Sequence, residues 1–273
     1  MTEVSPLNAG TRRALLDAID ALADQADALI LVGAQAIFLH TGDVDEAIAT
    51  ETKDADLSID PAVLHSTPLL EDAMRRAGFH LDLENPQPGA WISQNGYPVD
   101  LLLAEAVSGR RGSGRSGRIP PHDNMATRRV RGIEGALVDH APREVAALTE
   151  DDDRSATINV AGPAALLVAK LHKVSDRLTG GTRSRPRDAH DVFRLLREVE
   201  LARFADGVER LRRDDRSAQV TIEAIGLLDA LFASPGRRGA REAADAVRPI
   251  AQDADLIAEQ CAVLAGRLVT ALR

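Results

Sequence analysis

The stretch Leu29-Ile-Leu-Val-Gly-Ala-Gln-Ala36, followed by Thr52-Lys-Asp-Ala-Asp-Leu57, decides the fold of this chain. The continuous apolar run Ala28–Val32 predicts a short buried strand, and Gly33 then turns the chain into a helix that ends near Thr41-Gly42. The alternation of polar and apolar residues over Asp54–Asp60 predicts a second, half-buried strand. A strand, a glycine turn and a helix in this order bring backbone N–H groups towards a phosphate at the helix N-terminus.

Asp54 and Asp56 are the candidate metal ligands of this stretch. Residues i and i+2 of a strand point to the same face, so their carboxylates repel each other unless a cation lies between them. Two divalent ions roughly 3.5–4 Å apart would use such a pair as shared ligands. Asp100, in the otherwise apolar run Pro98-Val-Asp-Leu-Leu-Leu103, needs a partner because burial of a lone carboxylate is costly. The alternative is that all three carboxylates are solvated on an exposed face.

The regions around these strands contain further predicted elements. Helices are predicted over Ala9–Ala26 and Pro61–Ala77, and Asn95-Gly96 predicts a hairpin. The predicted strands are Phe79–Leu83, Ala90–Gln94, Tyr97–Leu103, Ala136–Val138 and Thr157–Val160. From Gly162-Pro163 to Arg273 the pattern is helical. The sequence therefore predicts an α/β (α+β) domain with a small mixed sheet over residues 1–160 and a helical domain over residues 161–273.

The composition is that of an ordinary globular protein of 273 residues, with 44% hydrophobic and 27% charged residues. Aromatic residues make up only 3%, so the core must consist mainly of Ala, Leu, Val and Ile. A single cysteine, Cys261, excludes an internal disulfide and a cysteine-based zinc site, and we expect it in the core. No apolar run approaches the roughly 18 residues of a membrane span, and no signal-peptide pattern is present. A cytoplasmic location is expected.

The charge is distributed unevenly. The net charge of −9 argues against a protein that coats nucleic acid, but residues 107–132 contain seven arginines and one acid. Within this stretch Ser108–Arg118 is rich in Gly and Ser and predicts a flexible loop. Its arginines are the candidate RNA-binding residues: Arg110, Arg111, Arg115 and Arg118. The alternative is a surface loop that only balances nearby acids.

The ordered motifs resemble a known enzyme superfamily. Leu31-Val-Gly-Ala-Gln-Ala36, Thr52-Lys-Asp-Ala-Asp-Leu57 and Val99-Asp100 resemble the signature of the polymerase-beta-like nucleotidyltransferases. Ala169-Lys-Leu-His-Lys-Val-Ser-Asp-Arg177 and Arg187-Asp-Ala-His-Asp-Val192 resemble the C-terminal motifs of the AbiEii-type toxins, which include the MenT toxins. These motifs extend over residues 29–195.

The resemblance implies roles for individual residues. Asp54 and Asp56 would bind Mg²⁺ (or Mn²⁺) and the nucleoside triphosphate, and Asp100 would complete one metal site and help to activate the attacking hydroxyl. Lys170 would neutralise the triphosphate, and Asp188 would be the late acidic catalytic residue. The nucleotide-binding candidates are Gly33, Ala34, Lys53, Lys170 and Lys173. Many relatives have Gly or Ser where this chain has Ala34, which removes a phosphate donor.

The late motif also has a purely structural interpretation. Lys170, Lys173 and Arg177 share one helical face, and Asp188 and Asp191 are three residues apart. These groups could form a salt-bridged helix pair. However, the chain has only three lysines among its 33 basic residues. Where Arg replaces Lys almost everywhere, a remaining lysine indicates a position that needs a compact point charge.

Other candidates are weaker. Asp151-Asp-Asp153 is more typical of a solvated loop than of a metal site, and His122 and His190 lack partners at ligand spacing. Trp91 is expected in the core and not as a stacking platform for a base.

The favoured function is a toxin that transfers nucleotides from a triphosphate to RNA, at the 3′ end of tRNA, with release of pyrophosphate. Its expected partners are the nucleoside triphosphate, an RNA acceptor and a cognate antitoxin protein. One rival is an enzyme that modifies a protein or a small molecule such as an antibiotic. The other is a non-catalytic module that binds a nucleotide or a partner.

Overall fold

The computed structural model describes residues 5–42, 52–82, 86–109, 114–179, 186–248 and 254–273. The chain divides into two compact units. The sheet unit consists of Met1–Ala36, Glu51–Val130 and His140–Ala161. The helical unit consists of Ile37–Thr50, Arg131–Asp139 and Gly162–Arg273. We find no helix in the described ranges that is long and apolar enough to cross a bilayer.

The sheet unit contains eight strands among its described residues, joined in one mixed sheet. The strands are β1 (Leu29–Val32), β2 (Ala55–Ile59), β3 (His80–Leu81), β4 (Ala90–Ile92), β5 (Pro98–Ala104), β6 (Arg128–Val130), β7 (His140–Ala146) and β8 (Ser155–Ala161). Their order is β3-β4-β5-β2-β1-β8-β7, and β6 pairs with β5. The helices of this part of the chain are α1 (Pro6–Ala21), α2 (Gly33–Thr41) and α3 (Leu70–Arg76), together with 3-10 helices at Ala23–Ala28 and Glu105–Val107. The mixed α/β fold class is thereby confirmed.

β2 is the central strand that carries the Asp-x-Asp motif. All five of its residues are buried, so the expectation of a half-buried strand was wrong. β2 lies between β1, which is antiparallel to it, and β5, which is parallel. Burial on both faces means that any carboxylate on this strand has to be compensated by neighbouring groups.

The start of β2 is fixed by helix α1. The backbone N–H of Thr52 donates to Asn8 Oδ1 at 2.9 Å, and Thr11 Oγ1 donates to the Thr52 carbonyl at 3.0 Å. The hydroxyl of Thr52 in turn donates to the carbonyl of Asp54 at 2.9 Å. These bonds hold the backbone on which the first aspartate stands.

The predicted helix over Pro61–Ala77 was wrong for most of its length, since only Leu70–Arg76 are helical. Pro68 interrupts the pattern because proline has no N–H and clashes with the preceding turn of a helix. The buried side chain of Gln25 supplies the missing bonds instead. It accepts from the N–H of His65 at 2.8 Å and donates to the carbonyls of His65 and Pro68.

The region between β5 and β8 also differs from the sequence-based prediction. Ala136–Val138 do not form a strand, because Glu134–Leu137 are a 3-10 helix. β6 and β7 were missed. β7 lies at the edge of the sheet, contains Pro142 and is mostly exposed, so it lacks the apolar alternation by which strands are recognised.

The helical unit is built around α4 (Pro163–Thr179), which packs against three other helices. Its further helices are α5 (Pro186–Glu198), α6 (Leu201–Arg213), α7 (Ala218–Phe232), α8 (Arg238–Val247) and α9 (Ala254–Ala271). Cys261 is fully buried in α9, as expected of a core cysteine. The core here is rich in small aliphatic residues, which fits the scarcity of aromatics.

Candidate functional site

Three carboxylates converge at one end of the central strands. Asp56 of β2 and Asp100 of β5 are direct neighbours in the parallel register, and Asp54 immediately precedes β2. One oxygen from each of the three side chains lies within 4.8 Å of the others. The cluster unites the Asp-x-Asp motif with the third aspartate, as the sequence predicted.

The cluster is desolvated and strongly negative. Asp56 is 8% exposed and Asp100 is 7% exposed, whereas Asp54 is half-buried. Burial raises the pKa of Asp100 to about 7, and the charge of Asp56 adds to this rise. Arg128 opposes the rise and Asp54 contributes to it. The three carboxylates are therefore not solvated on an exposed face, and they need a cation to be ionised together.

Gly33 is required beside this cluster. Its φ of +68° lies in the left-handed region, which favours glycine. A Cβ at this position would overlap the Oδ2 atom and the carboxyl carbon of Asp56. The turn that starts α2 therefore lies against the second aspartate of the motif, and the absence of a side chain is what allows that approach.

The donor set fits a divalent metal ion. Mg²⁺ and Mn²⁺ prefer oxygen ligands, and carboxylates that share a small desolvated space are the usual way in which proteins hold them. Asp54, Asp56 and Asp100 supply such oxygens from two adjacent strands. Among the described residues this is the cluster of possible metal ligands that the geometry brings together.

Arg128 is a site residue that the sequence prediction missed. Its guanidinium pairs with Oδ2 of Asp100, and its side chain is 28% exposed. The contact depends on the pairing of β6 with β5, where Leu102 lies opposite Arg128. The sequence offers only a weak signal for it, since Arg128 is one of seven arginines in the basic stretch.

Lys170 lies in a separate cluster within the helical unit. It is 5% exposed, and its Nζ atom is 3.1 Å from Asp188 and 2.6 Å from Asp191. Asp188 also pairs with Arg177 and, at 3.8 Å, with Lys173. Burial alone would lower the pKa of Lys170, but Asp191 and Asp188 raise it above the ordinary value. The salt-bridged helix pair of α4 and α5 is therefore present in the structure.

The basic stretch presents less positive charge to a partner than its composition indicates, because part of that charge is paired. Arg128, Arg129 and Arg131 pair with acidic side chains. Arg115 and Arg118 are exposed, whereas Arg110 and Arg111 lie outside the described residues.

The predicted flexible loop also has defined pairing in its described part. Ser116 bridges to β6, and Gly117 N–H donates to the Thr127 carbonyl at 2.9 Å. The loop thus has backbone contacts with β6 and with Thr127 at residues 116 and 117.

The remaining candidates have structural surroundings. Asp152 forms ion pairs with Arg13 and Arg154. It does not form a carboxylate cluster with the other acids of Asp151–Asp153. His122 bonds to the backbone of Leu70 and His65. Trp91 is 1% exposed and donates to the Ala126 carbonyl at 3.0 Å, which confirms it as a core residue. Lys53 is exposed and Ala34 is half-buried in the first turn of α2.

A mixed α/β sheet with three aspartates gathered beside a glycine turn is the arrangement of a nucleotidyltransferase, and this protein is one. The chain matches the family described as "Nucleotidyl transferase AbiEii toxin, Type IV TA system" over residues 14–260, and it belongs to that family. The match includes most of the helical unit, beyond residue 195 where the recognisable motifs end. No curated protein and no solved structure matches the chain.

We expect Gly33→Ala to abolish nucleotidyl transfer because the new Cβ would displace the Asp56 carboxylate. Gly96→Ala is the matched control, since Gly96 also has a positive φ of 81° but has open space around its Cα. Both variants should lose about 1–3 kcal/mol of stability from backbone strain. Steady-state rates and urea denaturation measure the two effects, and an inactive Gly96→Ala would show that strain alone explains the loss.

The metal-free protein should lose stability as the pH rises from about 4 to about 7. The pKa of Asp100 is raised to about 7 in the folded state, so folding favours its protonated form. This contribution is fully present below the ordinary pKa of a carboxyl and is lost as the pH passes the folded value. In urea denaturation with EDTA, Asp100→Asn should flatten this part of the profile. An identical slope in both proteins would contradict the assignment.

Proposed function

We propose that the protein transfers a nucleotide from a nucleoside triphosphate to an RNA hydroxyl, at the 3′ end of a tRNA, in a metal-dependent reaction. This proposal rests on the convergence of Asp54, Asp56 and Asp100 beside the turn at Gly33. The proposed nucleotidyltransferase domain is residues 1–160, with residues 161–273 as a helical domain. As a toxin acting on tRNA in the cytoplasm, it would be counteracted by a cognate antitoxin protein.

In this proposal the attacking hydroxyl oxygen forms a bond to the α-phosphorus, and the bond from that phosphorus to the pyrophosphate breaks. Asp54 and Asp56 would hold the metal ions, and Asp100 would complete one metal site. Magnesium or manganese, when bound, would stabilise the negative charge that develops on the phosphoryl oxygens and on the leaving pyrophosphate. Asp100 would also help to take the proton from the attacking hydroxyl.

The turn at Gly33 contributes to nucleotide binding through its backbone. The N-terminal turn of α2 directs N–H groups outward, and these favour the oxygens of the β- and γ-phosphates. Gln35 in this turn is 4% exposed, and its Oε1 accepts from Nε of the buried Arg12 at 2.8 Å. Arg12 also donates to the carbonyl of Ala146. This pair fixes the helix start, and Ala34 leaves phosphate recognition to the backbone.

An RNA acceptor is supported by the exposed arginines Arg115 and Arg118, together with Arg110 and Arg111 of the same basic loop. A protein acceptor is the second candidate. It gains support because the structure pairs Arg128, Arg129 and Arg131 with acids, which reduces the electropositive surface available to a polyanion.

The acceptor class is tested by incubating the protein with each α-labelled nucleoside triphosphate, total RNA and cell lysate. We expect the label on RNA of tRNA size, and Asp54→Asn or Asp56→Asn should abolish it while the fold remains intact. The reason is that each substitution removes one shared metal ligand but also removes like-charge repulsion, so the metal-free stability should be equal or higher. Label on protein would move the assignment to the second candidate, and full activity in either variant would reject the metal site.

The basic loop is tested by changing Arg110, Arg111, Arg115 and Arg118 to Ser. RNA affinity should fall, and the slope of log affinity against log salt should flatten by about 0.7 for each lost single-strand phosphate contact. The matched control changes four exposed arginines of the helical unit, each in a surface ion pair: Arg213, Arg238, Arg248 and Arg273. Equal salt slopes in the two quadruple variants would exclude the loop as the RNA site.

Lys170→Arg should impair the enzyme although it preserves the charge. The buried space that Lys170 occupies between two carboxylates suits an ammonium and not a planar guanidinium. A nucleotide-binding role predicts a higher KM for the triphosphate at an unchanged Tm. A purely structural role predicts a lower Tm with an unchanged KM. The two roles are separated by measuring both quantities on the same preparation.

A further inference from the structure

The backbone of Arg128 is held in place by neighbouring segments, and it positions the Arg128 side chain beside the carboxylate cluster. β6 pairs with β5 on one side, and Ser116 bridges to Arg128 on the other. Gly89 packs so closely that a Cβ there would overlap the N atom of Arg128. The backbone is therefore held on several sides, whereas the side chain is partly exposed to solvent, at 28%.

The guanidinium uses the same carboxylate that the metal requires. Arg128 pairs with Oδ2 of Asp100, and Asp100 is one of the three carboxylates whose oxygens lie within 4.8 Å of one another. A guanidinium and a divalent cation beside the same carboxylate compete for its lone pairs and also repel each other.

We propose that Arg128 is an internal counter-ion of the metal site, an inference that rests on the proposed metal-dependent function. Before metal binds, its positive charge offsets part of the repulsion among Asp54, Asp56 and Asp100 and holds the Asp100 carboxylate in place. When a divalent ion binds, the ion pair between Arg128 and Asp100 breaks, and the Arg128 side chain turns towards solvent. Arg128 is thus a positioning residue, and it lowers the affinity of the site for metal.

The neighbouring Arg129 provides a matched control. It follows Arg128 on the same strand and pairs with Glu105, which lies outside the carboxylate cluster. Arg128→Gln and Arg129→Gln therefore remove the same charge from adjacent positions, and each breaks an ion pair with a carboxylate. Only the first removes a competitor for a proposed metal ligand.

Mn²⁺ binding, followed by calorimetry or by electron paramagnetic resonance, tests the proposal on the full-length protein. We expect Arg128→Gln to bind Mn²⁺ about tenfold more tightly than wild type, the size expected for the loss of one charge-assisted hydrogen bond. Arg129→Gln should bind like wild type, and Arg128→Lys should remain within about threefold of it because the charge is kept. Unchanged or weaker binding by Arg128→Gln would overturn the proposal.

Thermal melting provides a second readout. If the salt bridge had only a structural role, the effect of Arg128→Gln on the melting temperature would not depend on metal. Without metal, Arg128→Gln should melt below wild type, because three carboxylates are left without their counter-ion. Saturating Mg²⁺ should close this difference, and it should also restore folding if the variant does not fold without metal. A melting difference that persists at saturating Mg²⁺ would identify Arg128 as a structural residue only.

Asp54→Asn separates this proposal from the proposed function. If wild type binds Mn²⁺ and Asp54→Asn does not, the metal site stands and the result for Arg128→Gln decides the counter-ion role alone. If wild type does not bind Mn²⁺, or Asp54→Asn binds it equally well, both the metal site and the counter-ion role are rejected.

Discussion

Electrostatic repulsion among three clustered carboxylates, two of them buried, is the constraint on which the rest of the site depends. The register between β2 and β5 places Asp56 beside Asp100, and Asp54 adds a third negative charge at the same end. A protein interior tolerates such a group only when cations or protons compensate it. The Arg128 ion pair and the raised pKa of Asp100 are both responses to this one electrostatic problem.

The surrounding structure is built to hold that cluster in place. Helix α1 fixes the backbone at Thr52, so the carboxylate of Asp54 starts from a defined position. Gly33 allows the α2 turn to approach Asp56 without a clash. These restraints come from the hydrogen bonds of Thr52 and from the absence of a side chain at Gly33. They keep the mutually repelling carboxylates together in the folded state, and the buried core offsets the free-energy cost of that repulsion.

The aspartate cluster of the sheet unit and the ion pairs around Lys170 follow different principles. The aspartate cluster of the sheet unit carries more negative than positive charge, which is the property of a site that binds a cation. Around Lys170 in the helical unit, three cationic side chains, Lys170, Lys173 and Arg177, lie within salt-bridge distance of two carboxylates, Asp188 and Asp191. This network of ion pairs links α4 to α5, which is a structural role.

The sequence by itself determined the strand and helix around Gly33, the Asp-x-Asp strand, the third aspartate and the family. Each of these is encoded in local spacing, because a strand places alternate residues on one face and a glycine permits a left-handed turn. Only the tertiary structure decided that β2 is buried on both faces, that Pro61–Leu69 are not helical and that Arg128 reaches Asp100. Those features depend on pairing between strands that are distant in sequence and on the hydrogen bonds of Gln25. Neither can be read from the spacing of residues along the chain.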